Sequence, residues 1–254
     1  MVRVILHGAC GRMGHVVAGM IDREENMKVV AGVDAVGSSY AAFPVYRSFD
    51  EVTEEADVVI DFSNAGAVDA LLNACVERKL PLVLCTTGLS EAQTMAMTEA
   101  SKSIAVLKSA NMTVGVNLLF RVLKEVAPLL ADAGFDIEIV EKHHNQKVDA
   151  PSGTAISLAD AVNEGLTEPY DYVYDRSARR EKRPKKEIGI SSVRGGTIVG
   201  DHDVIFAGED EVITFSHRAY SRSVFAKGAV EAAKFLCGKT PGFYDMQDVI
   251  AGEN

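Results

Sequence analysis

The stretch Val2-Arg3-Val4-Ile5-Leu6-His7-Gly8-Ala9-Cys10-Gly11-Arg12-Met13-Gly14 decides the fold. Its first six residues form an apolar run of strand length, and glycines at positions 8, 11 and 14 follow before a helical pattern that begins near Arg12. Strand, Gly-rich turn and helix start make the arrangement that receives a dinucleotide. Small residues let the backbone approach the pyrophosphate, and the N–H groups and positive end of the new helix hold its charge. Gly8, Ala9, Cys10, Gly11, Arg12 and Met13 are the candidate pyrophosphate-binding residues. Asp34 ends the next apolar run, Lys28 to Val33, at the place where a carboxylate accepts hydrogen bonds from the adenosine ribose. Its neighbour Ala35 offers no cation to a 2′-phosphate, so NADH is expected over NADPH; NADPH use would need a basic residue from elsewhere in the chain.

Outward from this turn, the first part of the chain alternates strand-like and helical segments. Strands are expected at Asp57 to Phe62, Leu82 to Cys85 and Ile104 to Leu107, with helices from Ala65 to Lys79 and after Ser90. Apolar strands separated by longer amphipathic segments specify a parallel sheet covered on both faces. The texture changes at Gly115. A long helix to about Ala131, a strand from Asp136 to Glu141 and a helix near Ser152 precede a charged stretch, Arg176 to Glu187, and strands near Ile188 to Val193, Val204 to Ala207 and Val212 to Ser216. A last helix, Ser223 to Leu236, is apolar at Val224, Phe225, Ala229, Ala232 and Ala233 and is expected to return to the first domain. The fold class is thus α/β: a Rossmann-type, doubly wound parallel sheet (residues 1–113 and 223–254) plus a smaller, partly antiparallel α+β domain (residues 114–222). The basic cluster Arg179, Arg180, Lys182, Arg183, Lys185 and Lys186 reads as a solvated loop.

A second segment carries chemistry: Glu141-Lys142-His143-His144-Asn145-Gln146-Lys147-Val148-Asp149-Ala150-Pro151-Ser152-Gly153-Thr154-Ala155. It ends at a helix start, so N–H groups at Gly153 and Thr154 suit a carboxylate, while Ser152 is a natural N-cap. His143, His144 and Lys147 can neutralise a second carboxylate and supply a proton. No nearby cysteine or spaced carboxylate completes a metal-ligand set, so no metal is expected.

The pattern Glu-x-His-His-x-x-Lys-Val-Asp-Ala-Pro-Ser-Gly-Thr-Ala resembles the signature of the dihydrodipicolinate reductases. Asp61-Phe62-Ser63, Thr86-Thr87-Gly88, Ser109 to Asn117 and Val193-Arg194-Gly195-Gly196 agree in order and spacing, so the resemblance covers almost the whole chain. It implies that Gly8 to Met13 hold the cofactor pyrophosphate and Asp34 the ribose. It places Cys85, Thr86 and Thr87 with Ser109, Ala110, Asn111 and Met112 beside the nicotinamide. His143 becomes the catalytic proton donor or acceptor and Lys147 the proton donor, and His144, Gly153 and Thr154 bind the carboxylates of a small dicarboxylate substrate. It also implies a homotetramer built through the second domain's sheet. Departures from the pattern are Cys10 in place of a glycine, tolerable if its φ is negative, Asn145 and Gln146 in place of residues often basic, and Met112 in place of a frequent aromatic.

Composition bounds the alternatives. The formal net charge of −10 disfavours nucleic acid and anionic membrane surfaces as partners. No apolar run reaches the roughly 18 residues of a membrane span. Four cysteines without CxxC spacing fit a reducing, cytoplasmic setting. Two other readings share the nucleotide turn. A homoserine or aspartate dehydrogenase should lack the His-His-x-x-Lys segment, and a cofactor-sensing regulator has no use for clustered proton donors and a carboxylate site.

Overall fold

The computed structural model describes residues 1–37 and 42–252. The chain divides into two compact units, Met1–Thr113 with Ser223–Asn254, and Val114–Arg222.

Unit one carries a seven-stranded sheet. Its strands are β1 (Val2–His7), β2 (Met27–Val33), β3 (Val45–Tyr46), β4 (Val58–Asp61), β5 (Leu82–Leu84), β6 (Ala105–Leu107) and, from the far end of the chain, β12 (Gly242–Tyr244). The order is β12-β6-β5-β4-β1-β2-β3, and every neighbouring pair is parallel. Successive side chains of a strand point to opposite faces, and here both faces are dry. Val4, Leu6, Ile60, Val83 and Leu107 enter one cluster with helix α1 (Arg12–Ile21) and helix α6 (Ser223–Leu236). Ile5, Val59, Leu82, Leu84 and Val106 enter another with α2 (Val68–Arg78) and α3 (Glu91–Ala100). That split, with helices on both faces, is the doubly wound Rossmann-type architecture. Gly14, Val17, Ala18 and Ile21 supply the buried stripe of α1 at helical spacing. A capping box formed by Ser90 and Gln93 starts α3, and one formed by Asp245 and Asp248 starts α7 (Met246–Ala251).

Unit two contains α4 (Val114–Asp132), β7 (Asp136–His143), α5 (Gly153–Gly165), β8 (Asp171–Val173), β9 (Glu187–Arg194), β10 (Gly200–Ala207) and β11 (Val212–Ala219). The sheet order is β11-β10-β7-β9-β8; β10 runs antiparallel to both neighbours, while β7, β9 and β8 run parallel. Ile137, Ile139, Ile188, Ile190, Val204 and Phe206 on one face pack against Phe120 and Leu123 of α4 and Leu158 and Val162 of α5. Each such side chain contributes roughly 1.5–3 kcal/mol of burial.

Several boundaries differ from the sequence reading. The segment expected as a helix from Ala65 opens with a 3-10 turn, Ala65–Ala67. Strands β9, β10 and β11 run longer than their apolar centres, and β3, β8, β12 and α7 were not legible. The solvated reading of the basic stretch is corrected in part. Arg176 Nη1 and Arg183 Nε donate to Glu138 at 3.0 and 2.9 Å, Arg183 Nη1 reaches Asp136 at 3.1 Å, and Arg179 pairs with Glu187. Carboxylates of β7 and β9 lie beneath this stretch, which a linear sequence does not reveal.

Candidate functional site

In unit one the phosphate turn is shaped by close backbone approach. Gly8 takes φ 76°, and a Cβ there would stand 2.6 Å from the Phe62 carbonyl oxygen. Only glycine fits both conditions. Gly11 is the N-cap of α1 and provides no side-chain cap, so the helix start carrying Arg12 and Met13 suits an anion. Cys10 is absent from the residues with positive φ, which explains why the departure from glycine is accommodated. One feature differs from the reading of the turn's N–H groups: Cys10 N–H already donates to Asp34 Oδ2 at 3.0 Å. Val36 N–H donates to Asp34 Oδ1, also at 3.0 Å. The carboxylate is thereby held over the turn, with lone pairs remaining for a ribose.

A cleft of about 660 Å³ is lined by Gly8, Gly11, Asp34, Ala35, Arg47 and Asn64, together with apolar residues of α2. Arg47 was not identified from sequence. A Cβ at Gly37 would lie 2.7 Å from Arg47 Cγ and 3.0 Å from its Nε, so the arginine stem crosses the turn that follows Asp34. The fit to an adenine dinucleotide rests on these observations: the close-packed Gly8 cradle, the uncapped α1 start and the Asp34 carboxylate.

Two loops expected beside the nicotinamide leave the carboxyl ends of β5 and β6. Cys85, Thr86 and Thr87 follow β5; Ser109, Ala110, Asn111 and Met112 follow β6. Asp61, at the end of β4 and fully buried, ties the first of them. Its carboxylate accepts from Thr86 N–H at 3.3 Å and Ser63 N–H at 3.1 Å, and His7 Nδ1 lies 2.7 Å away. Burial pushes the Asp61 carboxyl up, but the hydrogen bonds from His7, Ser63 and Thr86 win and hold it below its ordinary range. Lys108 Nζ donates to the Thr86 carbonyl at 2.8 Å, so Thr86 is gripped at both ends of its peptide. Burial lowers the Lys108 ammonium's pKa. Asn111 Oδ1 accepts from Thr113 N–H at 2.8 Å and closes the second loop. His7, Asp61 and Lys108 in these roles escaped the sequence reading.

In unit two, β7 ends in Glu141 and His143, both facing the buried side, and the chain then turns through His144 and Lys147 toward α5. Gly195 N–H donates to the His143 carbonyl and Asn145 N–H to the Gly196 carbonyl, which is the structural use of the Arg194-Gly195-Gly196 segment. Ser152 caps α5 by accepting from Ala155 N–H at 3.1 Å, placing Gly153 and Thr154 in the first turn. Lys147 Nζ pairs with Asp149 Oδ1 at 2.8 Å. The structure thus brings His143, Lys147 and the helix start into one loop and helix unit, with partly exposed His144 beside them.

Beneath these residues lies a polar network not read from sequence. Glu141 accepts two hydrogen bonds from Arg194, at 2.7 and 2.8 Å, and His143 Nδ1 lies 2.6 Å from Oε2. Burial alone would raise the Glu141 carboxyl; Arg194, Ser192 and His143 outweigh it and hold it at about 2. Burial, helped by the charges of Lys147 and Arg194, lowers His143 below the usual imidazole range against the pull of Glu141. His202 lies edge-on to His143 with ring centroids 5.1 Å apart, and its Nε2 is 3.0 Å from Ser152 Oγ. Burial first, and the nearby His143 second, bring His202 down to about 4, so it is neutral at pH 7. Among the described residues no group of three or more His, Cys, Asp or Glu side chains could hold a metal ion, and no helix is long and apolar enough to cross a membrane.

Comparison with known proteins accounts for both units. A sequence model of the dihydrodipicolinate reductase N-terminus matches residues 2–112, and one of the C-terminus matches residues 115–250. A 4-hydroxy-tetrahydrodipicolinate reductase of Caldanaerobacter subterraneus subsp. tengcongensis is 54% identical over 250 residues, covering 98% of each chain. That of Clostridium tetani is 48% identical over 97% of this chain and 96% of its own. Among solved structures, the dipicolinate-bound dihydrodipicolinate reductase of Paenisporosarcina sp. TG-14 superposes with a TM-score of 0.78 at 25% identity, over 96% of this chain and 97% of that one. With its phosphate turn, its His-His-x-x-Lys loop and full-length matches on both sides of the unit boundary, the chain belongs to the dihydrodipicolinate reductase family.

Proposed function

We propose that this oxidoreductase reduces the cyclic imine dicarboxylate derived from 4-hydroxy-tetrahydrodipicolinate to tetrahydrodipicolinate, in the diaminopimelate route to lysine. The observation that carries the reading is His143 at the end of β7 with Lys147 on the loop that runs from it into the capped start of α5. Proton-handling groups and an anion-holding helix end then face one small acid. The dipicolinate named with the Paenisporosarcina relative is a planar ring with two carboxylates, the chemistry this arrangement suits.

His144 and the N–H groups of Gly153 and Thr154 bind the two carboxylates and orient the ring, which removes much of the entropic barrier. A nicotinamide cofactor, held through Gly8 to Met13 and Asp34 with Cys85 to Thr87 and Ser109 to Met112 beside its reactive ring, supplies the hydride when bound. Lys147, an ammonium paired with Asp149, delivers the proton to the electron-rich product. His143 is neutral near pH 7 and serves as the acceptor that orients the donor and substrate. Asp34 favours NADH over NADPH, with Arg47 tempering that preference. Residues 1–113 and 223–254 form the dinucleotide-binding domain, and residues 114–222 the substrate and tetramerisation domain. The sheet face of unit two away from α4 and α5 presents Val140, Ile205 and the exposed Val193 and Val212 interleaved with the paired charges of Lys142 with Asp203 and Arg176 with Glu138, a mixed surface through which copies assemble into a homotetramer. Four free thiols fit a cytoplasmic setting.

The test is oxidation of NADH and NADPH with substrate generated in place by a dihydrodipicolinate synthase from pyruvate and aspartate semialdehyde. Synthase-dependent oxidation is the expected result. Absence of oxidation with either cofactor, despite measurable cofactor binding, would leave a sensor of the cofactor rather than an enzyme.

A further inference from the structure

Three parts of the proposed substrate site meet at one carboxylate. Glu141 is fully buried in unit two. Its Oε2 takes Arg194 Nη1 at 2.8 Å and His143 Nδ1 at 2.6 Å; its Oε1 takes Arg194 Nη2 at 2.7 Å and Ser152 N–H at 3.1 Å. Ser152 is the cap of α5, so this last bond fixes the residue immediately before Gly153 and Thr154. Arg194 Nη2 also donates to the Asp149 carbonyl at 2.6 Å, and Asp149 holds Lys147. The histidine, the lysine loop and the helix start are therefore referred to one anion.

The count of lone pairs sharpens the chemistry. An ionised carboxylate accepts about four hydrogen bonds and donates none. Arg194 and the Ser152 amide are obligate donors to it, and His143 Nδ1 meets the same Oε2 that Arg194 Nη1 holds. With no proton on Glu141 to give, Nδ1 must carry the hydrogen. A neutral His143 then has its lone pair at Nε2, the nitrogen that would otherwise hold the proton. Nε2 faces Gly200, where the missing side chain leaves that nitrogen uncrowded: an added Cβ would stand 3.1 Å from it.

We infer that Glu141, clamped by Arg194, is a positioning residue that fixes His143 in the Nδ1–H tautomer and holds His143, the Lys147 loop and the start of α5 as a single preorganised unit. This rests on the reductase reading above for its functional meaning, while the tautomer itself is a property of the free protein. Arrangements of this kind, a carboxylate behind a histidine, fix which nitrogen works and how the ring is aimed.

The experiment uses the full chain labelled with ¹⁵N-histidine, with the His143 signals assigned by their loss in His143→Asn. Above the pH at which the ring titrates, Nδ1 of His143 is expected to bear the proton and Nε2 to be bare, without any ligand present. Glu141→Gln introduces an amide that can donate to Nδ1, which lets the proton move to Nε2. In that variant kcat should fall on the order of 10- to 100-fold, with NADH affinity unchanged. Glu141→Asp should restore the tautomer and part of the turnover. Three results overturn the inference: a neutral wild-type ring protonated at Nε2, unchanged turnover in Glu141→Gln, or equal loss of kcat and NADH affinity with Glu141→Asp no better. Should Glu141→Gln not fold, the wild-type tautomer still decides. A wild-type chain that never turns over the imine sinks the reductase reading alone, because the ring is observed without substrate.

Discussion

Replacing Asp34 with alanine should invert the order of the two nicotinamide cofactors or bring them close to parity. Among the described residues the carboxylate accepts from Cys10 N–H and Val36 N–H, and Asp34 lines the cleft. A charged acceptor to a ribose hydroxyl is worth about 1.5 kcal/mol or more, and the substitution removes it from NADH. For NADPH the same carboxylate opposes a phosphate of nearly two charges; at about 4 Å in a water-like dielectric that repulsion is about 2 kcal/mol, and the substitution removes it too. The two changes act on the cofactor ratio in the same direction. Together they come to about 3.5 kcal/mol, a shift of about three hundredfold in relative kcat/KM toward NADPH. Arg47→Ala is the complementary perturbation. Its guanidinium is exposed, so its attraction to the phosphate is about 1 kcal/mol, and its loss should lower kcat/KM for NADPH about fivefold while sparing NADH. The assay is initial rates with both cofactors in the synthase-coupled reaction, backed by titration with 5′-AMP and 2′,5′-ADP. A ratio that moves less than about threefold in Asp34→Ala would refute the assignment of Asp34 to the ribose.

Other perturbations separate chemistry from scaffold. Lys147→Ala should reduce kcat about a hundredfold or more while leaving NADH binding intact, as single-turnover rates and cofactor titration would show; matched losses in both would remove Lys147 from proton delivery. Gly228→Ala drives a methyl group into the Met112 carbonyl, since α6 packs directly on that backbone. A loss of about 2 kcal/mol and a fall in Tm of about 4–8 °C by calorimetry are expected, and an unchanged Tm would show that α6 can move away freely. Acid should destabilise the chain in two stages. His202 lies at about 4 in the folded chain against an ordinary 6.5, so the unfolded chain binds the proton first and stability falls as pH drops from 6.5 to 4. Glu141, depressed from 4.5 to about 2, contributes stability that is present above 4.5 and lost as pH falls through 2. Flat stability between pH 6.5 and 4 in the wild type, or an unaltered first stage in His202→Gln, would contradict that account.

Residues adjacent along the chain were the readable ones. The Gly8 to Gly14 turn declared itself because strand, glycine spacing and helix start are local, and Asp34 followed from a fixed offset. The run from Glu141 to Ala155 was readable because the histidines, the lysine and the helix cap lie on one loop. What sequence withheld is long-range pairing. Arg194 reaches Glu141 across the β7 and β9 ladder, His202 arrives on β10, and Arg47 comes from the far side of β3. None of these has a local periodicity to betray it. Strands β3 and β12 are two and three residues long and, unlike the equally short but wholly buried apolar runs of β5 and β6, carry no continuous apolar signal; they exist because a neighbouring strand offers a parallel partner. The arginines of the basic stretch looked solvated for the same reason, since Glu138 and Asp136 lie more than thirty positions upstream.

The split of unit one around unit two also orders the chain's birth. Val4, Leu6, Ile60 and Val83 are completely shielded from water in one cluster with Ala226, Ala229, Ala232 and Ala233 of α6, the helix that packs on β4, β5 and β6. On a ribosome adding roughly 5–20 residues per second, those alanines emerge several seconds after the strands they cover. Until then the nascent sheet shows a bare apolar face, while the uninterrupted inner unit can finish first. The backbone at Met112, which α6 braces through Gly228, is among the last parts to set. A product that stops before Ser223 is left with adhesive surface for chaperones or proteases to find.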